Sequence, residues 1–309
     1  MIKRTLYFGK PAYLSKTNKQ MIVRLPEVEK NVSLPGGFKK EATATIPIED
    51  VGVVILDNQH IIVSQALISA LLDNNVALIS CNESHLPSGL MLPLDVHHIQ
   101  HERFLSQINA SEPLKKQLWQ QTVKAKILNQ AFLLRKIGKS NDKLMTLSKR
   151  VKSGDPENQE GRAALYYWDN LFPSDIHFSR SREGNPPNNL LNYGYAILRA
   201  IVARNLIGSG LLPTLGIHHS NKYNAYCLAD DIMEPYRPFV DNIVYQIVVD
   251  NIDYQDLTTE LKRSLLDISS IDVQFNDERS PLMIGMQRTT ASLAKCFEGN
   301  GRKISYPSF

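Results

Sequence analysis

From Leu190 to Ile207 the chain reads Leu-Leu-Asn-Tyr-Gly-Tyr-Ala-Ile-Leu-Arg-Ala-Ile-Val-Ala-Arg-Asn-Leu-Ile, a helical stretch that is apolar on most of its sides. Such a helix has almost no face to offer water, so other elements must pack around it. It calls for a domain large enough to surround it, and Gly208 and Gly210 mark where it stops. The partners are at hand after Pro93, where long amphipathic patterns take over. Trp119, Val123, Ile127, Ala131 and Leu134 recur at helical spacing, while Arg135 and Lys136 fall off that stripe. The tail from Asn276 onward reads as short, mixed pieces with partial mobility.

Before Pro93 the character differs. Thr5–Phe8 and Gln20–Leu25 are short β-like runs, punctuated by Gly9-Lys10-Pro11 and by Pro35-Gly36-Gly37. Val51–Leu56 and Val76–Ser80 read as buried strands, and Ser64–Leu72 between them has helical periodicity. The fold class is therefore α+β: a small β-rich N-terminal domain over residues 1–95, then a larger all-helical domain over 96–309. The 43% hydrophobic and 21% charged residues belong to a globular chain. No apolar run approaches the length of a membrane span. Cys81, Cys227 and Cys296 are scattered and odd in number, which suits reduced thiols in a cytoplasmic protein.

Net charge is only +4, but its distribution is uneven. Between His101 and Lys152, twelve lysines and arginines face three acids, a surplus of nine positive charges. Such a segment can neutralise several phosphates, or it can be an ordinary solvated helical face.

Three places set polar groups beside core-forming sequence. In Ser153–Ala164, Asp155 is a good N-cap and Pro156 a good first helical residue. Glu160 then shares a face with Ala164, Tyr167 and Leu171, where a carboxylate requires an arginine partner or a cation. Tyr166, Tyr167 and Trp168 at this spacing read as core rather than as a stacking platform for DNA. In Leu215–Asn221, His218 and His219 point in different directions, so at most one serves a given site; a surface or hydrogen-bonded histidine is the plainer reading. In Leu228–Pro238, Asp231 and Glu234 share one helical face, and Asp230 and Glu234 could also meet. Like charges this close favour a nearby cation, the alternative being an acidic turn held by Arg237. Pro235 and Pro238 should interrupt this helix. Carboxylates with one imidazole suit Mg²⁺ or Mn²⁺ better than Zn²⁺, and no cysteine has zinc-ligand spacing.

These same segments resemble the CRISPR-associated integrase family, the nucleases of spacer acquisition. The resemblance rests on Gln159-Glu160-Gly161-Arg162-Ala163-Ala164, Leu215-Gly216-Ile217-His218-His219, Asp230-Asp231-Ile232-Met233-Glu234-Pro235-Tyr236-Arg237-Pro238, Asn192-Tyr193-Gly194-Tyr195 and Lys126-Ile127-Leu128-Asn129-Gln130. His219 follows Glu160 by 59 residues and Glu234 follows His219 by 15, in the family's order. The last acidic segment looks most like members from type II systems.

The resemblance implies Glu160, His219 and Glu234 as ligands of a catalytic Mg²⁺ or Mn²⁺, with Asp231 behind them. It also implies a homodimer through the β-rich domain, a small ferredoxin-like adaptation partner completing a heterohexamer, and a prespacer duplex inserted into a CRISPR repeat by 3′-hydroxyl transesterification. Arg162, Lys124, Lys126, Arg135 and Lys136 are then candidate DNA contacts. Two other functions use the same residues: a stand-alone nuclease that cleaves branched DNA, and a non-catalytic DNA-binding scaffold.

Overall fold

The structure, a computed structural model, describes residues 3–27, 43–276 and 278–309. It divides into one compact unit ending at Val96 and another running His97–Phe309. The turn expected at Pro35-Gly36-Gly37 lies outside the described residues.

The N-terminal unit holds strands β1 (Arg4–Phe8), β2 (Tyr13–Thr17), β3 (Gln20–Arg24), β4 (Ala44–Pro47), β5 (Val51–Leu56) and β6 (Ile62–Val63). Helix α1 (Gln65–Asp73) and strands β7 (Ala77–Cys81) and β8 (Pro87–Met91) complete it. Two four-stranded sheets result, ordered β1-β5-β7-β8 and β4-β3-β2-β6. In the first, β1, β5 and β7 run parallel and β8 antiparallel. Val51–Ile55 of β5 are all buried, which explains their unbroken apolar run: a central parallel strand is covered on both faces. The β2–β3 hairpin turns at Asn18, with φ of +54°, a left-handed conformation that asparagine tolerates. Ser64 caps α1 by accepting from the Leu67 N–H, and Leu67 and Leu71 enter a core with Leu14, Met21, Val51, Val54 and Leu78.

The C-terminal unit contains helices α2 (Gln100–Ile108), α3 (Glu112–Lys136), α4 (Asp142–Arg150), α5 (Gln159–Leu171) and α6 (Asn188–Gly208). It continues with α7 (Cys227–Met233), a 3₁₀ turn (Glu234–Tyr236), α8 (Arg237–Val249), α9 (Thr259–Leu266), strands β9 (Asp272–Phe275) and β10 (Glu278–Pro281), and α10 (Leu282–Phe297). α6 is the central helix, packed by α7, α8, α9 and α10. α3 begins at the Ser111 cap and buries Trp119, Val123, Ile127, Ala131 and Leu134 against α4, α5 and the 3₁₀ turn. Its last turn carries Arg135 and Lys136, which complement the helix dipole.

The α+β class holds, a β-rich unit followed by a helical one, with one refinement and one correction. The C-terminal unit is helical but not all-helical, because β9 and β10 form an antiparallel hairpin. These strands are four residues each, too short to show a period in the sequence. The tail is also docked rather than loose. The Asn129 amide donates to the Pro307 carbonyl at 3.0 Å, Phe309 stacks on Phe239, and Ser308 bridges to Gln274. No helix among the described residues is long and apolar enough to cross a membrane.

Candidate metal centre

α5 starts at Gln159, not at Pro156. Residues Asp155–Asn158 form a turn closed by the Asn158 N–H on the Asp155 carbonyl, and Asn158 becomes the N-cap in a left-handed conformation. Asp155 still serves the helix start, because its carboxylate accepts the N–H groups of Gln159 and Glu160, both at 2.9 Å. Its charge thereby complements the positive end of the helix. The buried stripe is Gln159, Ala163, Tyr167 and Leu171, which puts Glu160 at its edge, 24% exposed at the side chain.

Glu160 is paired with a lysine rather than with a core arginine. The Lys126 ammonium, on α3, lies 2.6 Å from Glu160 Oε1 and 2.6 Å from Glu234 Oε2. Arg237 Nε approaches the other oxygen of Glu234 at 3.0 Å. Glu234 Oε2 and Arg237 Nε make these charge contacts without an aligned hydrogen bond. Burial pushes the Glu234 carboxyl up, but Arg237 and Lys126 outweigh it and hold it below the usual range. Burial likewise disfavours the Lys126 ammonium, and Glu234 and Glu160 more than restore it.

α7 ends before Pro235, and Asp231, inside the helix, and Glu234, at the head of the 3₁₀ turn, have different protein partners. Asp230 turns to Arg199 Nε, at 2.6 Å, and to the Asn224 amide. Asp231 is fully buried and faces the loop before α7. Its Oδ2 accepts the N–H groups of Ile217 and His218, and its Oδ1 accepts the N–H of His219 and lies 2.5 Å from His219 Nδ1. This pair raises the His219 pKa, opposed by burial and helped by the charges of Asp231, Glu234 and Glu160. The two histidines do not diverge: their rings meet edge to face at 5.3 Å on one platform, His218 stacked face to face on Trp119 at 4.1 Å and His219 edge-on to the same ring. Trp119, legible only as core, is thus also the platform of the histidine loop. A cleft of about 400 Å³ adjoins His219, lined also by Lys115, Asn221, Lys222 and Asn224. A hollow of about 450 Å³ beside Asp57 and His85 lies in the N-terminal unit and contains none of these groups.

Among the described residues, no three carboxylate, imidazole or thiolate groups stand together as a ready metal cage. Lys126 already takes the facing oxygens of Glu160 and Glu234. The donor set nevertheless fits a hard divalent ion: two carboxylates, one imidazole whose Nδ1 is occupied by Asp231, and a buried Glu234 oxygen lacking an aligned donor.

The candidate DNA contacts separate. Arg162, Arg135 and Lys136 are exposed, Lys124 is half-buried, and Lys126 is buried in the ion cluster rather than displayed on a surface. Tyr167 is core, donating its hydroxyl to Asp241 at 2.8 Å.

The chain matches the family model described as CRISPR associated protein Cas1 over residues 6–272. It is 37% identical over 268 residues to a CRISPR-associated endonuclease Cas1 of Neisseria meningitidis, covering 85% of this chain and 86% of that one. A second such protein, from Pyrobaculum aerophilum, is 27% identical over 268 residues, covering 83% and 90%. Among solved structures, a casposase bound to integration product superposes with a TM-score of 0.76 at 19% identity, over 99% of this chain and 93% of that one. A Cas1 protein from Thermotoga maritima gives 0.72 at 15% identity, over 98% and 99%. With a family model spanning most of the sequence and a relative 37% identical over 85% of it, the chain belongs to the CRISPR-associated Cas1 family.

Proposed function

We propose that this chain is a metal-dependent DNA integrase and endonuclease, joining prespacer 3′ ends to the borders of a CRISPR repeat. The observation that carries the reading is the pair of carboxylates, Glu160 and Glu234, drawn onto one cation beside a histidine whose Nδ1 is fixed by a buried aspartate. Relatives named endonucleases, and the likeness to a casposase bound to integration product, support it.

Glu160, Glu234 and His219 would hold Mg²⁺ or Mn²⁺. When bound, such an ion supplies charge neutralisation at the target phosphate and at the leaving 3′-oxygen. Asp231 keeps a proton at His219 Nδ1 and so leaves Nε2 as the ligating nitrogen. Arg237 holds Glu234 from the side opposite Lys126. In the joining step the prespacer 3′-oxygen forms a bond to phosphorus as the P–O3′ bond of the repeat strand breaks. The proton of the attacking hydroxyl is released and the departing oxygen ends as a 3′-hydroxyl, with no bond to the enzyme. Arg162, Lys124, Arg135 and Lys136 would position DNA through its phosphates, which carry no sequence information.

The chain would act as a homodimer joined through its β-rich unit. A solved structure titled as a Cas6-RT-Cas1–Cas2 complex, TM-score 0.72 over 98% of this chain and 36% of that one, supports a Cas2 partner, which we take to be small, ferredoxin-like and part of a heterohexamer. The test is an integration assay on a supercoiled plasmid bearing a leader and repeat, with labelled prespacer, the Cas2 partner, and Mg²⁺ or Mn²⁺. Label joined to plasmid by the wild type but not by Glu160→Ala is expected. Nicked plasmid without joined label would favour a nuclease, and DNA binding with no strand chemistry a scaffold.

A further inference from the structure

α3 is a core helix, and Lys126 stands next to Ile127 on its buried side, only 11% exposed at the side chain. A lysine in such a place requires a reason, since an unpaired ammonium there would lose its proton or destabilise the fold. Its ammonium reaches two carboxylates that come from different elements, Glu160 in the first turn of α5 and Glu234 in the 3₁₀ turn after α7. Both contacts are 2.6 Å. One small positive group between two carboxylates occupies the place to which those same two residues would draw a divalent ion. With Arg237 on the far side of Glu234, the two carboxylates are balanced by two cations. A divalent ion placed on the same oxygens would stand against an ammonium in a poorly solvated site, where like charges repel strongly. Lys126 can yield, because its head group sits on a flexible four-carbon stem.

We propose that Lys126 is a resident counter-ion which a divalent metal displaces, so that the centre alternates between an ammonium-bridged and a metal-bridged form. The proposal rests on the reading of Glu160 and Glu234 as metal ligands. In the metal-free protein Lys126 keeps the two acids together, and in doing so it competes with the metal for them.

The experiment is calorimetric titration of the full chain with MnCl₂, alongside melting in EDTA, for wild type, Lys126→Met and Lys126→Gln. Removing the competitor should tighten Mn²⁺ binding about tenfold. Both variants should also melt below wild type in EDTA, and gain more from added Mn²⁺ than wild type does. Variants that bind Mn²⁺ no more tightly than wild type overturn the proposal. If neither variant folds, wild type decides: Mn²⁺ should speed reductive methylation of the Lys126 amine, read by peptide mass spectrometry, and an unchanged or slower rate overturns it. Glu160→Gln separates the two claims. If it binds Mn²⁺ as wild type does, the metal assignment itself has failed.

Discussion

His219 Nδ1 lies 2.5 Å from Asp231 Oδ1, and the same buried carboxylate gathers the backbone N–H groups of Ile217, His218 and His219. Asp231 therefore sets both the tautomer of the ring and the path of the loop that carries it. Asp231→Asn keeps the size but offers a single acceptor oxygen to four donors. Loss of such a partner behind a metal-binding histidine costs about 10- to 100-fold in metal affinity or activity. We expect that drop in the initial rate of joined product, with the elution volume on size-exclusion chromatography unchanged. Wild-type rates would show that the loop holds His219 without Asp231.

Glu160 and Glu234 share Lys126, yet their environments differ and so should their variants. Glu234 is 5% exposed, and neutralising it takes the carboxylate from Arg237 and leaves Lys126 only the more exposed Glu160. Breaking a buried ion pair from one side costs about 3–5 kcal/mol. Glu234→Gln should thus lower the melting temperature clearly and also abolish integration. Glu160 is more exposed, and Lys126 would retain Glu234, so Glu160→Gln should abolish integration with a much smaller loss of stability. Thermal melts and plasmid integration run on the same preparations check the split; equal melting losses would mean that exposure does not separate the two sites.

Asp241, which is not among the proposed metal ligands, gives a pH dependence of its own. It accepts the Tyr167 hydroxyl at 2.8 Å and the Tyr195 hydroxyl, and the Arg237 guanidinium lies over the Tyr195 ring at 4.6 Å. Burial pushes its carboxyl from 3.8 to about 6, although both hydroxyls and Arg237 pull the other way. A group whose folded pKa exceeds its unfolded value favours the folded state below the unfolded value. That contribution is lost as pH rises through the folded one. Between about pH 4 and 7 the wild type should lose roughly 3 kcal/mol relative to Asp241→Asn, about two pKa units' worth. Urea unfolding of both proteins across that range tests it, and a difference that stays flat with pH would place Asp241 in a better-solvated setting.

What could be read from the chain tracks how local each signal is. Leu190–Ile207 announced a central helix because its burial is written into its own composition, and α6 lies in the middle of its unit. Glu160 and the acids up to Glu234 stand out as polar groups beside core-forming sequence, whereas His219 is singled out from His218 only by the resemblance to the family. Lys126 was read as a DNA contact because nothing nearby distinguishes it from the other lysines of its basic segment. Its partners come from α5 and from the 3₁₀ turn, and only packing unites them. The start of α5 was misplaced for a similar reason: Asp155 has the chemistry of a cap, but a turn intervenes and Asn158 takes the cap position.

Gly216 separates a packing constraint at the site from one in the scaffold. A Cβ there would fall 2.2 Å from the His219 carbonyl oxygen and 2.8 Å from Asp231 Oδ2. The first is backbone and cannot rotate away, so Gly216→Ala must push the loop off Asp231 and displace His219. At Gly194, on α6, an added Cβ would meet Val240 Cγ1 at 2.5 Å, a side-chain clash between packed helices. Overpacking of that kind costs about 1–3 kcal/mol. Gly194→Ala should therefore melt earlier but keep wild-type integration per folded molecule below its transition. Gly216→Ala should lose integration even where circular dichroism shows it fully folded. If Gly216→Ala integrates normally, the tight loop is not what positions His219.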